Sequence, residues 1–127
     1  MNPRIDVSGR WVNEFTWYEN GKRGGVIREA VALTQKGSKV EMTVESETTS
    51  PSVIEGTLQG NVFTIHGSWS YESRDGSDVG TTTVTSMKVT FSKDGKSASS
   101  EDTWRWQNKY DPSEVTHGHS VGVWSRI

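Results

Sequence analysis

The side chains best equipped for chemistry in this chain are aromatic and carboxylic. It carries six tryptophans, three tyrosines and three phenylalanines, and no cysteine, so thiolate chemistry and disulfides are excluded. Phe15 and Trp17, Trp69 and Tyr71, and Trp104 and Trp106 are each spaced two apart, the period that sends side chains of an extended strand to one face. A tryptophan offers a large flat surface at small entropic cost and one N–H donor. Gathered round an opening, such rings would stack on a planar ligand. Asn13 is in phase with Phe15 and Trp17, and Asp102 with Trp104 and Trp106. Both are suited to hydrogen-bond a ligand's polar edge.

Three other constellations carry weaker chemistry. Asp102 and Glu29 would form a paired carboxylate able to act as general acid and base if one cavity held both. No nucleophile motif or phosphate-binding glycine loop accompanies them. His117 and His119 share one strand face, with Asp111 and Glu114 nearby as oxygen donors. A polar loop entering a strand explains them as well, so no metal is expected, and no cofactor. His66 has no partner in sequence and reads as a wall or surface residue. Lys22, Arg23 and Arg28 would attract an anion, but with a net charge of -2 a solvated rim is the simpler reading. Gly24-Gly25 reads as a loop pair.

Bulk properties narrow the class. At 127 residues the chain makes one domain, 1–127, with 1–7 as an N-terminal tail, and is long enough to bury a core without staples. Hydrophobic residues are only 31% of it, yet the many aromatics argue against disorder. The slight negative charge implies no nucleic-acid or anionic-membrane partner. No stretch approaches the ~20 apolar residues of a membrane span, and the first residues lack the apolar run of a signal peptide. The expected compartment is the cytoplasm. A homo-oligomer is left open.

The elements that must position these residues are strands. Period-two alternation recurs at 8–18, 25–35, 39–47, 53–59, 62–73, 81–92, 97–107 and 117–127, and no segment shows sustained helical periodicity. Pro3, Pro51 and Pro112 all fall between these runs. Eight strands with no crossover helix predict an all-β, antiparallel, up-and-down β-barrel, whose closure removes the edges. The connections Lys36-Gly37-Ser38, Gln59-Gly60-Asn61 and Lys93-Asp94-Gly95-Lys96 are tight, whereas 19–24, 48–52, 74–80 and 108–116 are longer. Alternate connections of such a barrel share an end, so one end reads as closed and the other as a mouth.

Alternation also sorts the faces. The inward sets are Trp11, Asn13, Phe15 and Trp17; Val40, Met42, Val44 and Ser46; Phe63, Ile65, Gly67, Trp69 and Tyr71; Thr83, Thr85, Met87, Val89 and Phe91; and Ala98, Ser100, Asp102, Trp104 and Trp106. The second strand is ambiguous, with Ile27, Glu29, Val31 and Leu33 opposing Val26, Arg28, Ala30 and Ala32. Strand direction collects Trp17, Trp69, Tyr71, Trp104 and Trp106 near the mouth and the aliphatic residues near the closed end. The rings would alternatively fill the interior themselves, because an eight-stranded barrel is just wide enough for its own side chains. The inward polar residues Asn13, Ser46, Thr85, Ser100 and Asp102 favour a ligand, since each would cost ~1–3 kcal/mol unpartnered in a dry core.

The two chain ends supply a plug. Trp11 opens the first strand and Arg126 closes the last, and neighbouring end strands would lay the guanidinium on the indole. Gly9-Arg10-Trp11-Val12-Asn13 resembles the Gly-x-Trp-x-Asn start of the avidins, and Trp124-Ser125-Arg126-Ile127 resembles their aromatic-Thr-basic-aliphatic end. The pattern is similar to that of the calycins: lipocalins, fatty-acid-binding proteins and avidins. The resemblance covers about a dozen residues at the two ends, plus the strand count. It implies a calycin-like barrel with Ser120, Gly122, Trp124 and Arg126 pointing inward in the last strand, and it makes Asn13 a hydrogen-bond donor to a ligand. Biotin itself does not carry over. Trp17 stands where a serine would follow Phe15, the second strand lacks Tyr-x-Ser, and Gly122 replaces an acidic or amide residue.

The expectation is a non-catalytic barrel that binds a small molecule, planar and partly polar, through Asn13, Phe15, Trp17, Trp69, Tyr71, Asp102, Trp104 and Trp106, with Trp11 and Arg126 as a structural plug. Its rivals are an interaction module, a sensor or inhibitor that grips a protein with its mouth loops, and a barrel enzyme using Asp102 and Glu29.

Overall fold

The structure is a computed structural model that describes residues 5–73 and 75–127. Among the described residues ten strands make one antiparallel sheet: β1 (Gly9–Glu19), β2 (Lys22–Lys36), β3 (Lys39–Val44), β4 (Glu47–Ser50), β5 (Ile54–Gln59), β6 (Val62–Ile65), β7 (Trp69–Ser73), β8 (Gly80–Phe91), β9 (Ser97–Asn108) and β10 (Val115–Arg126). No helix occurs among the described residues. Eight of the strands pair in chain order, β1-β2-β3-β5-β6-β8-β9-β10, and β10 returns to β1, so the sheet closes into a ring. Closure satisfies backbone groups that an open edge would leave bare.

The remaining two strands complicate the expected pattern. The third strand stops at Val44 and the chain turns at Glu45 and Ser46, so Ser46 is exposed rather than inward. β4 then runs in the same sense as β5, and β7 in the same sense as β6. β4 and β7 pair with each other and extend the sheet above the ring. Gly67, expected in the wall, lies in the break between β6 and β7 with φ 73° and is exposed. The connection after β1 is shorter than expected. Asn20 (φ 51°) and Gly21 (φ 77°) make a two-residue turn with both residues left-handed, the backbone that matches the twist of a hairpin. Gly24 and Gly25 therefore belong to β2 and not to a loop. Two of the four mouth-end connections are thus tight; the long ones join β7 to β8 and β9 to β10.

Burial follows the alternation except in β8. Met87, Val89 and Phe91 are buried, but above them it is Thr82 and Val84 that turn inward, not Thr83 and Thr85. A bulge between Val84 and Ser86 inserts an extra residue and reverses the parity. Thr85 ends outside, sharing a hydrogen bond with the Thr103 hydroxyl. In β2 the ambiguity resolves to Ile27, Glu29, Val31 and Leu33 inward, with Val31 and Leu33 in the core.

The closed end is built from the chain's two ends. Trp11 is fully buried, edge-on to Phe91 at 5.4 Å and to Trp124 at 6.4 Å, and its indole N–H donates to the Val7 carbonyl. The Arg126 guanidinium lies 4.5 Å from the Trp11 ring centroid and donates to the carbonyls of Asp6, Ser8 and Gly95. Residues 5–8 cross this end. Val7 is fully buried in the core and Ile5 packs against it, so these residues of the expected tail belong to the fold; residues 1–4 lie outside the described residues. Pro3 and Arg74, in the expected tail and the expected 74–80 loop, are likewise outside them.

Candidate functional site

Register stacks three tiers inside the ring. The lowest is the core of Val7, Trp11, Val31, Leu33, Val40, Met42, Phe63, Val89, Phe91 and Trp124. Above it lies a polar belt. Asn13 pairs in register with Glu29 across β1 and β2, and its amide donates to a Glu29 carboxylate oxygen at 3.3 Å. Asp102 pairs with Ser120, and Ser100 with Gly122, across β9 and β10. Gly122 is needed here: a Cβ would lie 2.3 Å from Asn13 Oδ1 and 2.6 Å from Ser100 Oγ. The residue that fails to match a biotin pocket instead makes room for the belt.

The top tier is aromatic and encloses a cavity of about 400 Å³. Phe15, Trp17, Tyr71, Trp104 and Trp106 line it, joined by Ile27, Thr82 and Ser120. Glycines on neighbouring strand segments hold the three indoles in place. A Cβ on Gly24 would stand 2.1 Å from the Trp17 ring, one on Gly80 2.2 Å from Trp106, and one on Gly118 2.2 Å from Trp104. Each ring therefore lies flat over a bare stretch of backbone, which a glycine within a strand permits. Trp104 donates to Ser120 Oγ at 3.1 Å and meets Trp17 edge-on at 6.4 Å; Trp106 donates to Asp78 Oδ1 at 3.0 Å. With their orientations fixed, these rings would lose little freedom on meeting a ligand.

The expected site residues thus divide. Phe15, Trp17, Tyr71, Trp104 and Trp106 are brought together around the cavity. Asn13 and Asp102 sit in the belt beneath. Trp69 does not face the cavity; it is buried in the core, 5.5 Å from Tyr71. Sequence reasoning missed Thr82, hidden by the bulge, and the rim residues Glu19, Asp78 and Glu114. It also missed the glycines beneath the indoles, although a glycine in mid-strand near a tryptophan is a readable signal.

The belt is electrostatically unusual. Burial is the main force pushing the Glu29 carboxyl up to about 7; the bond from Asn13 opposes it, and the charges of Glu47 and Asp102 add to it. Burial likewise lifts Asp102 to about 7 against hydrogen bonding from Ser120. The Tyr71 phenol is held above its ordinary range, chiefly by burial and further by the charges of Glu29, Asp102 and Glu47. Asn13 Oδ1 and Asp102 Oδ1 are buried acceptors, and Trp69 Nε1 and Trp124 Nε1 buried donors, with no hydrogen-bond partner among the described residues.

These shifts predict an inverted pH dependence. A carboxyl whose folded value lies above its unfolded value binds more protons when folded, so its stabilisation is full below pH ~4 and lost as pH rises towards 7. Stability should fall by on the order of a few kcal/mol between pH 5 and 8. The double variant Glu29→Gln/Asp102→Asn should flatten that slope. Urea unfolding of both proteins at the two pH values checks this; a parent as stable at pH 8 as at pH 5 would refute the buried pair.

The histidines play no part in the cavity. His117 and His119 are exposed, and the His119 ring stacks on Tyr18 at 4.8 Å. His66 bonds with the Thr57 hydroxyl on the exterior. Among the described residues no group of three His, Cys, Asp or Glu is arranged to hold a metal ion. A second hollow, of about 620 Å³, lies over the β8 bulge and has no Trp, Tyr or Phe in its lining. No helix among the described residues is long and apolar enough to cross a membrane. No protein-family model matches the chain, and no curated protein matches it in sequence.

Proposed function

We propose that this chain is a calycin-like barrel that binds a small, planar, partly polar molecule. The observation that carries the reading is the cavity of about 400 Å³ beneath the inward-facing aromatic rings. Its volume lies within the ~300–1,000 Å³ of ordinary ligand sites, and apolar walls over a few polar groups are what such sites need. The ligand's ring would stack against Trp17, Trp104 and Trp106, and its polar edge would face Tyr71, Thr82 and Ser120, with Asn13 and Asp102 below. The arginine laid on the Trp11 indole supports the calycin likeness. A panel of planar metabolites titrated against tryptophan fluorescence tests the reading. Saturable quenching by at least one member is expected; a flat response across the panel counts against it.

One observation favours the enzyme as the second reading. Glu29 and Asp102 both stand near 7, where a carboxyl serves equally well as proton donor and acceptor. Turnover of a bound compound that stops in Asp102→Asn while binding persists would move that reading to first place. The interaction module draws less support, because the largest rings turn inward and only Tyr110, at 84% exposure, stands out as an exposed aromatic among the described residues.

A further inference from the structure

The charged side chains that line the cavity are, among the described residues, of one sign. Its lining includes Glu19, Asp78 and Glu114, and no lysine, arginine or histidine among the described residues. In the belt next to Ser120 stand Asp102, its register partner, which also lines the second hollow, and Glu29, with Glu47 close enough to act on Glu29 and Tyr71. Among the described residues, the cations of the mouth-end segments lie outside: Lys22 and Arg23 are exposed, and Lys109 pairs with Glu72 at 3.0 Å. A second, independent observation concerns hydrogen bonds. Asn13 is 3% exposed and its amide donates to Glu29; among the described residues its Oδ1 has no donor, and the buried Asp102 Oδ1 has none either. Two orphaned acceptors, the Asn13 amide oxygen and an Asp102 carboxyl oxygen, suit a group rich in donors and free of acceptors, which describes an ammonium. The rings above are suited to the same charge, since an indole face attracts a cation.

We propose that the occupant of the cavity is an organic cation, a ring bearing an ammonium group, with the ring among Trp17, Trp104 and Trp106 and the ammonium directed at Glu29, Asp102 and Asn13 Oδ1. This rests on the reading of the cavity as a ligand site. An anion would meet carboxylates at both rim and floor. A neutral ring would stack equally well but leave the orphaned acceptors unanswered unless it carried donors of its own.

The test compares three probes of one shape, 2-phenylethylamine, 2-phenylethanol and phenylacetate, by calorimetry at pH 7.5, with the indole N–H signals of the protein followed by NMR. The amine is expected to bind at least about tenfold more tightly than the alcohol, and phenylacetate more weakly than both. In Glu29→Gln/Asp102→Asn, checked for folding by its melting temperature, the preference for amine over alcohol should shrink to within about threefold. An alcohol that binds as tightly as the amine, or a preference that survives in the double variant, overturns the cation while leaving the cavity as a ligand site. If none of the three probes moves an indole signal, both the cation and the ligand site fall.

Discussion

Replacing Trp11 with alanine should lower the stability of the fold by ~3–5 kcal/mol, the range for truncating a large buried aromatic. Four contacts are lost together: the edge-on packing against Phe91 and Trp124, the indole bond to the Val7 carbonyl, and the face on which Arg126 rests. The loss reaches beyond one cavity because Arg126 also ties the end of β10 to residues 6 and 8 and to the turn at Gly95. Domains of this size are commonly stable by only ~5–15 kcal/mol, so the variant should unfold at markedly lower urea. Trp11→Phe keeps a ring against Phe91 and should recover part of the loss. Urea unfolding followed by circular dichroism separates the three proteins. A Trp11→Ala variant with the parent's midpoint would show that the plug does not hold the closed end.

Removing either Trp104 or Trp106 should weaken ligand binding at least tenfold, or ~1.4 kcal/mol, while the fold survives. A stacked pair contributes ~0.5–1.5 kcal/mol beyond the apolar area it buries, and each ring also forms cavity wall. Both indoles are only partly buried, so their loss opens space towards solvent rather than a closed void. Trp104→Ala should have the larger effect, because it also frees Trp17 from its edge contact and Ser120 from its donor. Affinity of the best compound from the metabolite panel, measured for each variant beside its melting temperature, checks this. Unchanged affinity in both variants would remove the aromatic wall from the binding account.

Much of this organisation was legible in the chain because alternation is a direct consequence of strand geometry. In β1 and β9 it places Asn13, Phe15, Trp17, Asp102, Trp104 and Trp106 on the inner face without error. The end-to-end stacking of Trp11 and Arg126 followed from the expectation that first and last strands are neighbours. Alternation fails where the chain inserts or spends a residue. The bulge after Val84 reverses the face of upper β8, and the sequence does carry the trace: Val84 is out of phase with Met87, Val89 and Phe91. Ser46 reads as strand, but the chain turns there and sends Glu47 into β4, bringing a third carboxylate into the field of the belt. Trp69 shows the other limit. Its parity is inward as expected, yet height along the strand decides between cavity and core, and the break at Gly67 sets that height.

The central claim is that the aromatic cavity receives a ligand, and the indole N–H spectrum tests it most directly. The six tryptophans give one indole N–H each, and five of them fall into two sets by position. Trp17, Trp104 and Trp106 line the cavity, whereas Trp11 and Trp124 are fully buried at the closed end. Titration with a bound compound should shift the first three signals in a saturable way and leave Trp11 and Trp124 where they were. Saturable shifts confined to surface amides, with the Trp17, Trp104 and Trp106 indoles unmoved, would contradict the account.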